Sequence, residues 1–193
     1  MCVYVCVYGY GVYGVVCVCA WCVVYGRVFR SNLTSASKQK WYQISTSKEF
    51  SDIFERNVIC DTAVYSLGSD SMITVNNTGI YKPGTPNAGQ GDVNIGKAKV
   101  AAPGKLEVTF FGGVYAPYWI TQLYENSAGE YTTAVVYSCQ KVLGLLNQNV
   151  WVLSRTPQLL PEHPIDSLYQ VAESQGIPIS KIDMLPTPQN CGN

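Results

Sequence analysis

Charge is scarce in this chain. Lys and Arg number 13, Asp and Glu another 13, so 13% of the 193 residues are charged and the formal net charge is zero, against roughly 25% charged residues in an average soluble domain. Without an excess of basic side chains there is no field to hold a phosphate backbone, which argues against a nucleic-acid partner. Histidine is scarcer still, His163 being the only one. A lone imidazole does not complete the usual zinc sets or a Ser-His or Cys-His arrangement, so no metal, no cofactor and no catalytic residue is assigned, and the chain is read as a binding protein rather than an enzyme. What the chain has instead is apolar text. A hydrophobic fraction of 47% over 193 residues is ample for one domain with a sizeable core, and it rules out disorder throughout.

Residues 1–26 carry no charged side chain at all and are built almost wholly of Cys, Val, Tyr and Gly; five of the eight cysteines (Cys2, Cys6, Cys17, Cys19 and Cys22) crowd there. An apolar stretch of this length suggests a secretory signal or a membrane anchor, but it lacks a positive leading region and is rich in tyrosine and glycine. Cys19-Ala-Trp-Cys22 has redox or metal spacing without the strand-to-helix setting that such a motif needs. Gly9-Tyr-Gly11-Val-Tyr-Gly14 matches a dinucleotide-binding glycine pattern, yet no acidic residue precedes Glu49 to meet a ribose. The reading adopted is an unselected extension, since alternating Cys-Val-Tyr-Val text is what translation of a dinucleotide repeat yields. Residues 1–30 are therefore expected to lie outside the fold, 31–40 to form a polar linker, and 41–191 to form the domain; membrane attachment through residues 1–26 stays open as an alternative.

Past residue 40, short alternating segments recur between turn residues, the pattern of an antiparallel all-β sandwich or barrel. Strands are expected at 41–46, 58–67, 72–81, 93–101, 105–111, 117–124, 130–138 and 149–154, each joined to the next by a hairpin. Because strand side chains alternate faces, Ala63, Tyr65 and Leu67, Ile73 and Val75, Leu106, Val108 and Phe110, and Trp151 and Leu153 should form one inner lining. The lining either fills a core or surrounds a cavity. Parity also turns Asn77 and the Tyr65 hydroxyl inward, and buried polar groups need partners that a ligand or water in a cavity would supply. Residues 161–176 read as a helix with Ile165, Leu168, Tyr169 and Ala172 as its apolar stripe, stopped by Gly176, packing outside the sheet and carrying His163. A short extended piece at 178–185 and a Pro-rich tail ending in Cys191 follow.

Several motifs together carry a family resemblance: Lys40-Trp41-Tyr42-Gln43-Ile44, Cys60 with Tyr65-Ser-Leu67, Gly96-Lys-Ala-Lys-Val100, Lys105-Leu-Glu-Val108, Ala116-Pro-Tyr-Trp-Ile120, Val136-Tyr-Ser-Cys139, Trp151-Val-Leu-Ser-Arg155-Thr-Pro157 and Thr187-Pro-Gln-Asn-Cys191. Over residues 41–191 the chain resembles the lipocalins, in particular the apolipoprotein D and bacterial lipocalin branch. The resemblance implies an eight-stranded antiparallel up-and-down barrel with one C-terminal helix outside it. It implies that Trp41 and Arg155 close one end of the barrel, that Tyr65, Asn77 and Trp151 line a ligand cavity together with the inward Phe110, and that Cys60 pairs with Cys191. Cys139 would then pair with an N-terminal cysteine, Cys22 standing at a suitable separation. One departure is Gln39, which occupies the place of the family's glycine two residues before the Trp.

The function implied is extracellular binding and transport of a small lipophilic ligand, whether lipid, sterol, retinoid or pigment, by a secreted protein. Two sequons, Asn32-Leu-Thr34 and Asn76-Asn-Thr78, are consistent with secretion. Two alternatives are a membrane-tethered lipocalin acting at a lipid surface and a lipocalin-type isomerase or hydrolase; the latter wants a nucleophile beside a base, which Cys139 and the distant His163 do not supply.

Overall fold

The structure, a computed structural model, describes residues 40–142 and 144–191 together with the backbone of β1 (Val5–Val7) and β2 (Val16–Val18). These first two strands pair antiparallel with each other in a sheet of their own. Eight strands then follow in order: β3 (Lys40–Ser47), β4 (Val58–Leu67), β5 (Ile73–Tyr81), β6 (Gly91–Ala102), β7 (Lys105–Thr109), β8 (Ala116–Glu125), β9 (Tyr131–Val142) and β10 (Leu145–Ser154). Each pairs antiparallel with the next, and β10 returns to β3 through Trp151 opposite Thr46 and Ser154 opposite Tyr42. The sheet is thereby closed on itself, an arrangement that leaves no free edge.

Two features depart from a plain succession of hairpins. The first connection is not a hairpin: it holds a seven-residue helix, α1 (Lys48–Phe54). The second lies on β3, which pairs with β4 only from Lys40 to Tyr42. Beyond that point β4 swings away, and β11 (Met184–Pro186) takes its place against Ser45–Ser47. The divergence is built into a bulge of β4 at Cys60, whose φ of 64° is left-handed and whose N–H donates to Pro188 O at 2.9 Å. A disulfide joins Cys60 to Cys191 with their Cα atoms 5.9 Å apart. The tail beyond α2 is thus part of the barrel wall, where the sequence suggested only an extended piece. The last hairpin is tighter than expected, Gly144 turning at a φ of 86° so that β10 begins at Leu145.

Two apolar clusters result from the alternation. Inside the barrel lie Trp41, Ala63, Tyr65, Ile73, Val75, Ala98, Leu106, Val108, Val136, Trp151 and Leu153, with others. Leu67, expected inside, ends its strand 45% exposed. On the outer faces of β9 and β10, Val135, Tyr137, Cys139, Val150 and Val152 pack under α2 (Ile165–Ser174). That helix buries Leu168 and Ala172 with Ile165 and Tyr169 beside them, the stripe its 3.6-residue period lays on one face. Burial of a side chain such as Leu168 stabilises by about 1.5–3 kcal/mol. The helix ends in a Schellman turn: Ile177 N–H reaches Ala172 O at 3.1 Å, Gly176 N–H reaches Glu173 O at 2.9 Å, and Gly176 takes the required φ of 88°. Pro164 caps its start, so His163 precedes the helix instead of lying on it, its ring 4.4 Å from that of Tyr124. Cys139 is buried on the outer face of β9; the N-terminal cysteine that the resemblance pairs with it lies outside the described residues.

Candidate ligand-binding site

One end of the barrel is sealed. Arg155, which directly follows β10, sets its guanidinium carbon 3.8 Å from the centroid of the Trp41 ring. Its Nε donates to Tyr131 O at 3.2 Å and its Nη1 to Lys40 O at 3.3 Å. Burial draws its pKa down to about 10, which leaves it charged and able to stack on the indole. Trp41 is 5% exposed.

Above this floor the interior is aromatic. Tyr65 of β4 and Tyr118 of β8 meet across the barrel with their hydroxyls 2.7 Å apart. Burial pushes the Tyr65 phenol up to about 12 and raises Tyr118 as well. The inward hydroxyl of Tyr65 therefore has a protein partner, where parity alone invited a ligand or water. The Tyr118 ring lies 5.7 Å from that of Trp151, and Phe50 of α1 makes a T-shaped pair with Trp151 at 4.9 Å. Phe110 is half-buried against Gly96, where a Cβ would meet its ring at 2.8 Å and Thr109 O at 2.8 Å. Asn77 pairs in register with Ala63 and Asn94 on the inner face of β5, its Oδ1 buried without a hydrogen-bond partner.

The opposite end is a mouth formed by α1, by the connections 82–90 and 110–115, and by the turn at Gly144. On its β4–β6 side stands a polar group of side chains. A Cβ on Gly79 would meet Asp61 Oδ1 at 2.8 Å, so the Asp61 carboxyl lies over this inward glycine, which pairs with Asp92. Asp92 accepts from Asn94 Nδ2 at 2.8 Å and from the Tyr81 hydroxyl at 3.3 Å. Glu55, just past α1, accepts from the Gln43 amide at 2.8 Å. Its carboxyl is pushed up to about 8, first by burial and then by the neighbouring Asp61, against the opposing Gln43 bond. Asp61 is pushed up to about 7 by burial and by Asp92.

Tyr65, Asn77, Phe110 and Trp151 thus all stand on the inner face, and Trp41 and Arg155 meet at the sealed end. Sequence reasoning missed Tyr118, although its alternation with Ile120 pointed it inward, and missed Phe50, Glu55 and Asp61. Among the described residues no group of three or more His, Cys, Asp or Glu side chains has the geometry to hold a metal ion.

A closed eight-stranded barrel, sealed at one end by an arginine on an indole and aromatic within, defines a protein of the kind that encloses a small molecule. Residues 37–187 match the model of the lipocalin-like domain, and the chain belongs to the lipocalin family. It is 38% identical over 156 residues to apolipoprotein D of Mus musculus, covering 79% of this chain and 75% of that protein. To the outer membrane lipoprotein Blc of Escherichia coli K12 it is 33% identical over 151 residues, covering 77% and 75%. Among solved structures, lobster apocrustacyanin A1 superposes with a TM-score of 0.60 at 16% identity over 86% of this chain and 85% of that one. Insecticyanin of the tobacco hornworm Manduca sexta does so with a TM-score of 0.54 at 18% identity over 77% and 76%. The fold and the relatives support binding of a lipophilic ligand, and the family is generally one of binding proteins rather than enzymes. No described helix is long and apolar enough to cross a membrane.

Proposed function

We propose that this protein binds a small lipophilic molecule in the upper half of its barrel and carries it outside the cell. The observation that carries the reading is the aromatic group of Tyr118, Trp151 and Phe50 between the mouth and the Tyr65–Tyr118 pair. Such a surface offers an apolar ligand large contact area with little flexible side chain to order. Tyr65, Phe110 and Trp151 form the apolar wall and Asn77 a polar point on it, while Trp41 and Arg155 act only as the floor. The extracellular setting is supported by the Cys60–Cys191 disulfide, a bond that persists in oxidising compartments, and by the two sequons. The mouse relative is named an apolipoprotein and the bacterial one a lipoprotein, names that favour a lipid among the possible ligands.

The test is native mass spectrometry of the full chain as purified from a eukaryotic secretion host. A mass excess that releases a lipophilic molecule on collisional activation, at one per chain, is expected. Apo protein that also fails to take up any of a panel of fatty acids, sterols, retinoids and carotenoids would overturn the reading. Carbonate extraction of the expressed full-length chain separates a free carrier, recovered in the supernatant, from a tethered one.

A further inference from the structure

We propose that Asn76 carries an N-linked glycan whose first sugars lie across exposed apolar side chains of β6, so that this outer face of the barrel is covered by the chain's own modification. The proposal rests on the extracellular part of the carrier reading and concerns the outer wall, not the cavity.

The sequon Asn76-Asn77-Thr78 lies within β5, where alternation turns its two asparagines to opposite faces. Asn77 points inward and is followed two positions on by Gly79, so it lacks the hydroxyl residue that an acceptor requires. Asn76 shares the outer face with Thr74 and Thr78. Its side chain is half-buried, with Oδ1 covered and without a hydrogen-bond partner, which leaves Nδ2, the atom that takes a sugar, as the outward corner of the amide.

The surroundings of Asn76 supply an independent observation. In register, Asn76 stands between Val64 of β4 and Ile95 of β6, and Thr78 stands opposite Val93. Ile95 is 61% and Val93 60% exposed, although both belong to a strand paired on either side. The helix α2 covers the outer faces of β9 and β10 instead. Directly opposite side chains stand about 4.5–5.5 Å apart at Cβ and diagonal ones about 7–8 Å, so a sugar on Asn76 Nδ2 comes to rest against Ile95 and Val93. The C–H faces of a sugar ring suit that contact, and its hydroxyls present a hydrated surface in place of an apolar one.

The modification is a transfer from a lipid diphosphate-linked oligosaccharide. Nδ2 forms a bond to the anomeric carbon, the bond from that carbon to the diphosphate oxygen breaks, the amide gives up one proton, and the lipid diphosphate leaves. Nothing is oxidised or reduced. Transfer takes place on the extended chain before β5 pairs, so the fold has only to leave room for the product, which an outward position does and an inward one does not.

Peptide mapping of the full chain, secreted behind a cleavable leader by a eukaryotic host, tests the site. Release of the glycan by peptide-N-glycosidase F in heavy-oxygen water should convert Asn76, and not Asn77, into an isotope-labelled aspartate. Thr78→Ser should keep the glycan and Asn76→Gln should lose it. Secreted chain with an unmodified Asn76 would overturn the proposal and leave the carrier reading standing, whereas chain retained in the cell despite the leader would remove the extracellular setting and the proposal with it. Hydroxyl-radical footprinting of the glycosylated chain against unglycosylated wild-type chain from a bacterial periplasm reads where the glycan lies, with no variant that has to fold. Labelling of Val93 and Ile95 should be lower in the glycosylated chain, while Ile53, 60% exposed at the mouth, should label equally in both. Equal labelling of Val93 and Ile95 would overturn the covering of β6.

Discussion

Phe50 of α1 and Trp151 meet in a T-shaped pair, centroids 4.9 Å apart and planes at 79°, which joins the mouth of the barrel to its aromatic interior. Trp151 is only 9% exposed in consequence. An apolar molecule that reaches Trp151 from the mouth must displace Phe50, which belongs to a helix of seven residues with no buried member. Phe50→Ala should therefore speed both association and release of a lipophilic probe in stopped-flow fluorescence, by about two- to ten-fold for the loss of one aromatic contact. Unchanged rates would place the entry path elsewhere.

At the other end, Trp41 serves stability. Its indole is buried under Arg155, so Trp41→Ala should destabilise the fold by about 3–5 kcal/mol in urea titration. Ligand affinity of the folded fraction should not change.

Removal of the Cys60–Cys191 bond, which spans 131 residues, should destabilise by about 2–5 kcal/mol in the double Cys→Ala variant. Because the bond holds the tail into the gap between β3 and β4, hydrogen exchange should quicken first at Ser45–Ser47, the stretch paired with β11. Uniform quickening across all strands would show the tail to be no separate part of the wall.

Glu55 and Asp61 make stability fall as pH rises. Both carboxyls are raised in the folded chain, to about 8 and about 7, so the folded state holds more protons than the unfolded one between their ordinary values and these. Their contribution is fully present below about pH 4 and is lost as pH climbs through 7 and 8. Melting temperature should decline between pH 5 and pH 8.5, and Glu55→Gln should flatten that decline. A melting temperature that rises over the same interval would contradict the burial of these groups.

Most of the barrel was legible because one property, alternation, both makes a strand and assigns its faces. The segment 58–67 and the stripe Ile165, Leu168, Tyr169 and Ala172 were readable for this reason. Alternation says nothing where its period is absent. Residues 48–54 are too few to show a helical stripe, and Ser47 makes no capping bond that would mark a start, so α1 and with it Phe50 went unseen. Asp61 shares the parity of Ala63 and Tyr65 and turns inward by the same alternation, which ends just before it at the left-handed bulge of Cys60. Glu55, Asp61 and Asp92 come from three separate elements, and nothing in a single stretch of sequence announces that the latter two raise the Glu55 carboxyl. The Tyr65 hydroxyl illustrates the same limit: parity gave its direction, but its partner Tyr118 lies 53 residues away.

The central claim is that an apolar ligand rests against Trp151 inside the barrel. Calorimetric titration of dodecanol into the full chain and into Trp151→Ala tests it most directly, with urea stability measured on both. One site per chain is expected, weakened by about five- to 150-fold in the variant, the equivalent of about 1–3 kcal/mol of buried aromatic contact. Equal affinity in a folded Trp151→Ala chain, or binding at several sites per chain, would contradict it.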